Sequence, residues 1–230
     1  KVFVDLEPDP VMENVTIFQR GVVYDFLGEP AVQTTIYDPR QRHFTLLNSQ
    51  RKIKTRVDER VLLQFVAQLK ARAMEKGGPL VRELATPKFA VEFDELEDRL
   101  MLVGQRIEYV VQDRRAIHDT FPDAAAAEEK YRFIDMYARL DATLAARPPQ
   151  ARLELNHQIA LRKMLPTHVE RKDRSPHPFF GGKETITRSE HAVAWQLLRD
   201  DQKRIDTANR QRANFTAVTL AEYRNLGEEP

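Results

Sequence analysis

The sequence predicts an α+β fold, a curved antiparallel β-sheet with helices covering one face. Three observations carry that prediction. Residues 22–57, VVYDFLGEPAVQTTIYDPRQRHFTLLNSQRKIKTRV, hold three short runs that alternate apolar and polar positions, separated by turns. A second group of alternating runs follows from Pro87 to about Val111. Between and after these groups, apolar residues recur at three- and four-residue spacing, the period of amphipathic helices. Strands grouped with tight turns pair antiparallel, and helices inserted between the groups cover the sheet rather than link parallel strands.

The elements follow in order. FQRGVVYDF reads as a strand whose Val23 and neighbouring aromatic residues suit a pleated surface, and Gly28-Glu29-Pro30 breaks it. VQTTIYD puts Val32, Thr34 and Ile36 on one face, and Asp38-Pro39 opens a turn in which the aspartate accepts a local backbone bond. RHFTLLN returns, Asn48-Ser49 interrupts, and in KIKTRV the residues Ile53, Thr55 and Val57 alternate with Lys52, Lys54 and Arg56. Asp58 is placed to cap a helix with Val61, Leu62, Phe65, Val66 and Leu69 as its apolar stripe, ended by Gly77-Gly78-Pro79. Three strands come next, marked by Phe89, Val91 and Phe93, by Leu100 and Leu102, and by Ile107, Tyr109 and Val111.

Asp123 precedes a long helix whose face is built from Tyr131, Ile134, Tyr137 (or Ala138) and Leu140. Pro148-Pro149 ends it, and ARLELNHQIALRKM forms a second helix that stops at Leu165-Pro166. THVERKDR reads as a strand and SPHPFFGGK as a loop over 175–183. ETITRSEHAVAWQLL alternates for a long way, with Ser189, His191, Val193, Trp195 and Leu197 on one face of a long strand. A polar helix, RDDQKRIDTANRQRA, and a short strand, NFTAVT, complete a single domain over 1–230, with residues 1–13 and 224–230 as extended tails. There is no internal repeat.

Composition narrows the function classes. Of 230 residues, 42% are hydrophobic and 31% charged, enough for an ordinary core. The 36 basic and 35 acidic residues leave a net charge of +1, with no global pull toward nucleic acid or an anionic membrane. The absence of cysteine excludes disulfides, thiolate metal sites and thiol nucleophiles. No run of about 18 apolar residues occurs that would span a bilayer as a helix. The chain starts KVFVDLEPDP without a methionine, as removal of an export signal or another trimming would leave it, so a periplasmic or otherwise exported protein is expected.

Motifs point to no catalytic residue, metal or cofactor. His157, His168, His177 and His191 show no paired helical spacing and no HExxH, so no metal site is expected; His177 and His191 are the best candidates. Ser189 and His191 share a strand face, where i and i+2 residues lie about 7 Å apart, too far for a direct hydrogen bond without bending. FDELEDR reads as a solvated hairpin turn, and no phosphate-cradling glycine loop is present. The basic groups RQRHF, RKIKTR and VERKDR read as outward faces that guard strands against edge pairing rather than as a nucleic-acid platform.

TTIYDPRQRHFTLL, with its aromatic-Asp-Pro turn between two strands, and LPTHVERKD, followed after a loop by another strand, resemble the bacterial lipoprotein-carrier (LolA/LolB-like) fold. That resemblance implies an open half-barrel, a strongly curved antiparallel sheet with helices on its concave face around an apolar cavity. The chain departs from it in having no helix before the first strand and a longer helical insertion at 123–163. The function expected is binding of an apolar or amphipathic ligand, a lipid or acyl chain, between sheet and helices, without catalysis. Candidate lining residues are Tyr24, Phe26, Ile36, Phe44, Phe89, Val91, Phe93, Tyr109, Val193 and Trp195. The alternative is a structural or protein-interaction module that uses a sheet edge or the 175–183 loop. In that loop Phe179 and Phe180 are expected to fold back on the domain, because exposing two phenylalanines forgoes roughly 1.5–3 kcal/mol each.

Overall fold

The computed structural model describes residues 1–5, 7–113, 124–174 and 184–225. Its strands are β1 (Val2–Val4), β2 (Asn14–Gln19), β3 (Val22–Leu27), β4 (Gln33–Asp38), β5 (His43–Asn48), β6 (Ile53–Asp58), β7 (Ala90–Asp94), β8 (Arg99–Val103), β9 (Ile107–Asp113), β10 (Pro166–Asp173), β11 (Thr185–Glu190) and β12 (Thr216–Ala217). The helices are α1 (Glu59–Lys76), α2 (Pro79–Ala85), α3 (Ala124–Ala145), α4 (Gln150–Leu161), α5 (Arg199–Asn214) and α6 (Leu220–Asn225). The fold is α+β, as the alternation and stripes predict. No described helix is long and apolar enough to cross a membrane.

Where one sheet is expected, the described strands form two, each of six, in the orders β1-β11-β10-β9-β8-β7 and β12-β6-β5-β4-β3-β2. Periodicity reveals that a segment is a strand and leaves its partner open, so this division could not be read from the pattern. By its contacts the chain divides into two compact units that follow the two sheets. One comprises Lys1–Val11 and Gln64–Val193, the other Met12–Leu63 and Ala194–Pro230.

The unit that contains Met12–Leu63 is built on an antiparallel meander, β2 to β6, with β12 added parallel to β6. FQRGVVYDF, expected as one strand, is a hairpin. Arg20 and Gly21 take φ of 53° and 76°, the two left-handed positions of the tight turn that matches strand twist. Asp38 Oδ1 accepts the backbone N–H groups of Arg40 and Gln41 at 3.0 and 3.1 Å, the local bonding its turn requires. Ile17, Tyr24, Phe26, Ile36 and Leu47, alternate positions on one sheet face, pack with Ile205 and Ala208 of α5. The polar helix thus buries one narrow stripe and leaves the rest in water.

In the other unit every strand pairing is antiparallel. Leu100, Leu102, Ile107, Tyr109, Val111 and Val169 form the apolar face and meet Leu84 of α2 and Ala151, Leu155 and Ile159 of α4. Tyr131 on α3 donates its hydroxyl to the Met164 carbonyl at 3.0 Å. The buried line of α3 runs through Phe133, Met136, Leu140 and Thr143, with Tyr131, Ile134 and Tyr137 at its margins. In α1, which begins in the Met12–Leu63 unit and continues into this one, the buried positions are Glu59, Leu62, Val66, Leu69 and Ala73, and Val61 is exposed, one position off the expected stripe.

Three further expectations are corrected. The long strand expected over ETITRSEHAVAWQLL ends at Glu190, where the ladder with β10 stops at the His168–Glu190 pair beside the irregularity in β10 between Pro166 and His168. The amino-terminal segment expected as a tail supplies β1, which pairs with β11. Residues 220–225 form α6, so the carboxy-terminal segment is helical where the expected tail begins. Phe179, Phe180 and the rest of the 175–183 loop lie outside the described residues.

Candidate functional site

The ten candidate lining residues do not converge on one place. Tyr24, Phe26 and Ile36 are buried in the α5-covered core of one unit, and Phe44, also fully buried there, stacks on Tyr37 with ring centroids 4.5 Å apart. Phe89, Phe93 and Tyr109 belong to the core of the other unit, where Phe89 meets Tyr109 edge-on at 6.0 Å. Arg162 lies over the Phe93 ring, 5.5 Å from its centre. Val91, Val193 and Trp195 are exposed at 37%, 43% and 43%. Seven of the ten therefore pack as core or against it, and three face solvent.

Ser189 and His191 are closer than strand geometry allows. Ser189 Oγ lies 3.1 Å from His191 Nε2, because His191 falls past the end of β11, where the backbone leaves the extended path. Its N–H is held by the Thr167 carbonyl at 2.8 Å. His191 is a solvent-exposed residue; partial desolvation of its ring, then the positive charge of Arg152 and other nearby cations, pushes the imidazole down to about 4. A neutral imidazole beside a hydroxyl is two parts of a nucleophilic site. The third, a carboxylate orienting Nδ1, is not bonded to His191 among the described residues. Among those residues no group of three or more histidine or acidic side chains is arranged to hold a metal ion.

A different constellation forms in the meander unit. Strand alternation and the Thr45–Arg56 pairing put His43, Thr45, Lys54 and Arg56 on one face of β5 and β6. The end of α5 brings Arg212 to this face, and the chain through β12 into α6 adds Val218, Thr219 and Leu220. Together they bound an open groove of about 530 Å³. Its outer wall is fixed by a capping box: Thr219 N–H donates to Glu222 Oε2 at 2.7 Å, and Glu222 N–H to Thr219 Oγ1 at 3.2 Å. The Thr219 N–H, and the Thr219 hydroxyl that donates to the same Oε2 at 2.8 Å, hold the Glu222 carboxyl below its usual range. Tyr223, buried, anchors the segment, and burial pushes its phenol up to about 12.

Three cations line the groove, in different states of engagement. Lys54 Nζ donates to the carbonyls of Arg212 and Ala213 at the carboxy-terminal end of α5, where helix carbonyls lack partners. Arg56 Nε donates to Asp58 Oδ1 at 3.0 Å, an exposed pair of small energetic weight. The Arg212 guanidinium is exposed and makes no hydrogen bond or ion pair among the described residues. His43 is only 7% exposed, and its Nδ1 is buried with no hydrogen-bond partner. Leaving such an atom unmatched costs about 1–3 kcal/mol, so it asks for a water or a ligand atom.

The sequence carried a signal for this site, read as something else. Lys54 and Arg56 of RKIKTR and the histidine of RQRHF line the groove, while as a local pattern they read as solvated guard residues. Arg212 and the 217–220 wall come from more than 150 positions further along the chain, beyond any local pattern. No protein-family model matches the chain, and no curated protein or solved structure gives a significant match.

Proposed function

We propose that this protein is a non-enzymatic binding protein, and that its ligand is an amphipathic anion seated in the His43–Lys54–Arg56–Arg212 groove. The observation that carries the reading is a groove lined by three cations, one of them the Arg212 guanidinium without a partner among the described residues, and by no carboxylate. A carboxylate or phosphate oxygen accepts from the open Arg212 fork and from the His43 ring, which lines the groove. The apolar part of such a ligand lies along Ala217, Val218 and Leu220, each buried methylene contributing about 0.8 kcal/mol.

This reading keeps the ligand class expected from sequence and moves its place from the core to the groove. It sits within the wider proposal of an exported bacterial carrier related to the lipoprotein-carrier type, with sheets curved as open half-barrels and helices on their concave faces. The antiparallel meander with α5 packed on one face supports that setting.

Calorimetric titration with dodecanoate, dodecyl phosphate and inorganic phosphate tests it. Both dodecyl ligands are expected to bind, the better of them naming the headgroup, and inorganic phosphate to bind far more weakly. Arg212→Ala and His43→Gln each lower the affinity about tenfold, as loss of a hydrogen bond to a charged group does. Absence of binding by both dodecyl ligands, or binding indifferent to both substitutions, overturns the reading.

A further inference from the structure

The two sheets end in four edge strands, and three carry the usual protections against pairing. β1 has three residues and β12 two, while β7, AVEFD, carries Glu92 and Asp94. Shortness and charge are how sheet edges avoid joining other strands. The fourth edge, β2, has neither.

β2 reads NVTIFQ, six residues without charge or proline. Its register with β3 is unbroken from Asn14–Leu27 to Gln19–Val22, so no bulge twists it away. Asn14 Nδ2 and Thr16 Oγ1 both donate to the buried Asp25 carboxylate, at 2.8 and 2.6 Å, which fixes the strand flat against its neighbour. Five of its six residues have exposed or half-exposed side chains, among them Val15 at 38% and Phe18 at 36%, with Met12 at 45% just before. The outer row of backbone N–H and C=O groups is a template for a further strand.

We propose that the partner at this edge is a second copy of the same chain, joined β2 to β2 antiparallel about a two-fold axis. Preservation of the sheet faces requires like parity in the pairing, and centring on Thr16 satisfies it. Thr16 then faces its own copy, Val15 meets Ile17 of the second copy, and Asn14 meets Phe18. An uncharged strand pairs with itself without like-charge opposition. At each end, Glu13 of one copy comes to the end that carries Arg20 of the other, so the flanking charges are complementary. An isologous contact of this kind closes at two subunits and joins the sheets into twelve strands.

Sedimentation of the full chain over a concentration series, with the Val15→Lys variant beside it, reads the association. A reversible dimer is expected, weakened about tenfold or more by Val15→Lys, which places a lysine ammonium against Ile17 twice per dimer. Val15 is exposed, so the variant is expected to melt as the wild type does when dilute. Register is read by Thr16→Cys in this cysteine-free chain, since a centred pair puts the two α-carbons about 4.5–5.5 Å apart, within disulfide reach. Oxidation is expected to cross-link Thr16→Cys and not the exposed control Gln50→Cys. A wild type that stays monomeric at every concentration, a dimer indifferent to Val15→Lys, or equal cross-linking at both positions overturns the proposal.

Discussion

Tyr37 donates its hydroxyl to Oε1 of Glu59 at 2.6 Å, while Arg42 Nε donates to Oε2 at 3.0 Å. Tyr37 lies near the end of β4 and Glu59 opens α1, and both are buried. This contact ties the start of the helix to the sheet at a fixed point. Tyr37→Phe keeps the ring on Phe44 and removes only the bond, so the expected loss is about 1.5–3 kcal/mol, that of a hydrogen bond to a charged group. Urea unfolding at an unchanged slope measures it; a loss below about 0.5 kcal/mol shows that the bond contributes nothing beyond its geometry.

The Arg20-Gly21 turn gives a second expectation. A β-carbon at Gly21 would meet nothing nearer than Arg40 Nη2 at 3.5 Å, an ordinary contact, so space is not the constraint. Its φ of 76° is, and Gly21→Ala costs about 1–2 kcal/mol. Arg20→Asn, which suits the left-handed position better, leaves the melting temperature unchanged or raises it. The reverse order of the two melting temperatures refutes this account of the hairpin.

Phe26 distinguishes core from ligand wall. It is 4% exposed and packs with Ile205 and Ala208. Phe26→Ala is expected to cost about 3–5 kcal/mol of stability, the cost of a cavity in a filled core. A residue that lined an open ligand space would lose much less. Thermal unfolding of the ligand-free protein decides between them.

His191 makes stability depend on pH. Its imidazole titrates near 4 in the folded chain, against about 6.5 when unfolded. Between those values the unfolded chain binds more protons, so stability rises with pH from about 4 to 6.5 and falls on acidification through the same window. His191→Gln flattens that part of the stability curve. The ring protons of His191, followed by NMR, are expected to titrate at the low value; a midpoint near 6.5 shows that solvent reaches the ring and screens those cations.

Alternation made most strands legible, because a half-buried strand must place like residues two apart whatever its partner. It misled at 191–197 for the same reason. Ser189, His191, Val193, Trp195 and Leu197 keep the period, but the ladder stops at the His168–Glu190 pair, where β10 is irregular, and a period without a partner is not a strand. Gly21 passed unnoticed inside an apolar run because a two-residue turn removes so little of the pattern. The groove was the hardest to foresee. Lys54 and Arg56 look like any solvated row until the end of α5 and the 217–220 segment arrive beside them. The lining candidates are large apolar residues on alternating faces, the same property that selects a core.

The interleaving of the two units bears on the order in which the chain can fold as it is made. The meander β2–β6 leaves the ribosome well before α5, which covers Tyr24, Phe26, Ile36 and Leu47 and is encoded some 150 residues later. β1 precedes every other described strand in the chain and waits for β11. Neither unit can close on its own segment of chain, so completion one domain at a time during synthesis is not open to this topology. Through most of translation an apolar sheet face stands uncovered, with the uncharged β2 edge beside it. Ribosome-held chains stopped before residue 199 are therefore the stage at which association with holding chaperones, or with other nascent copies, is expected to peak.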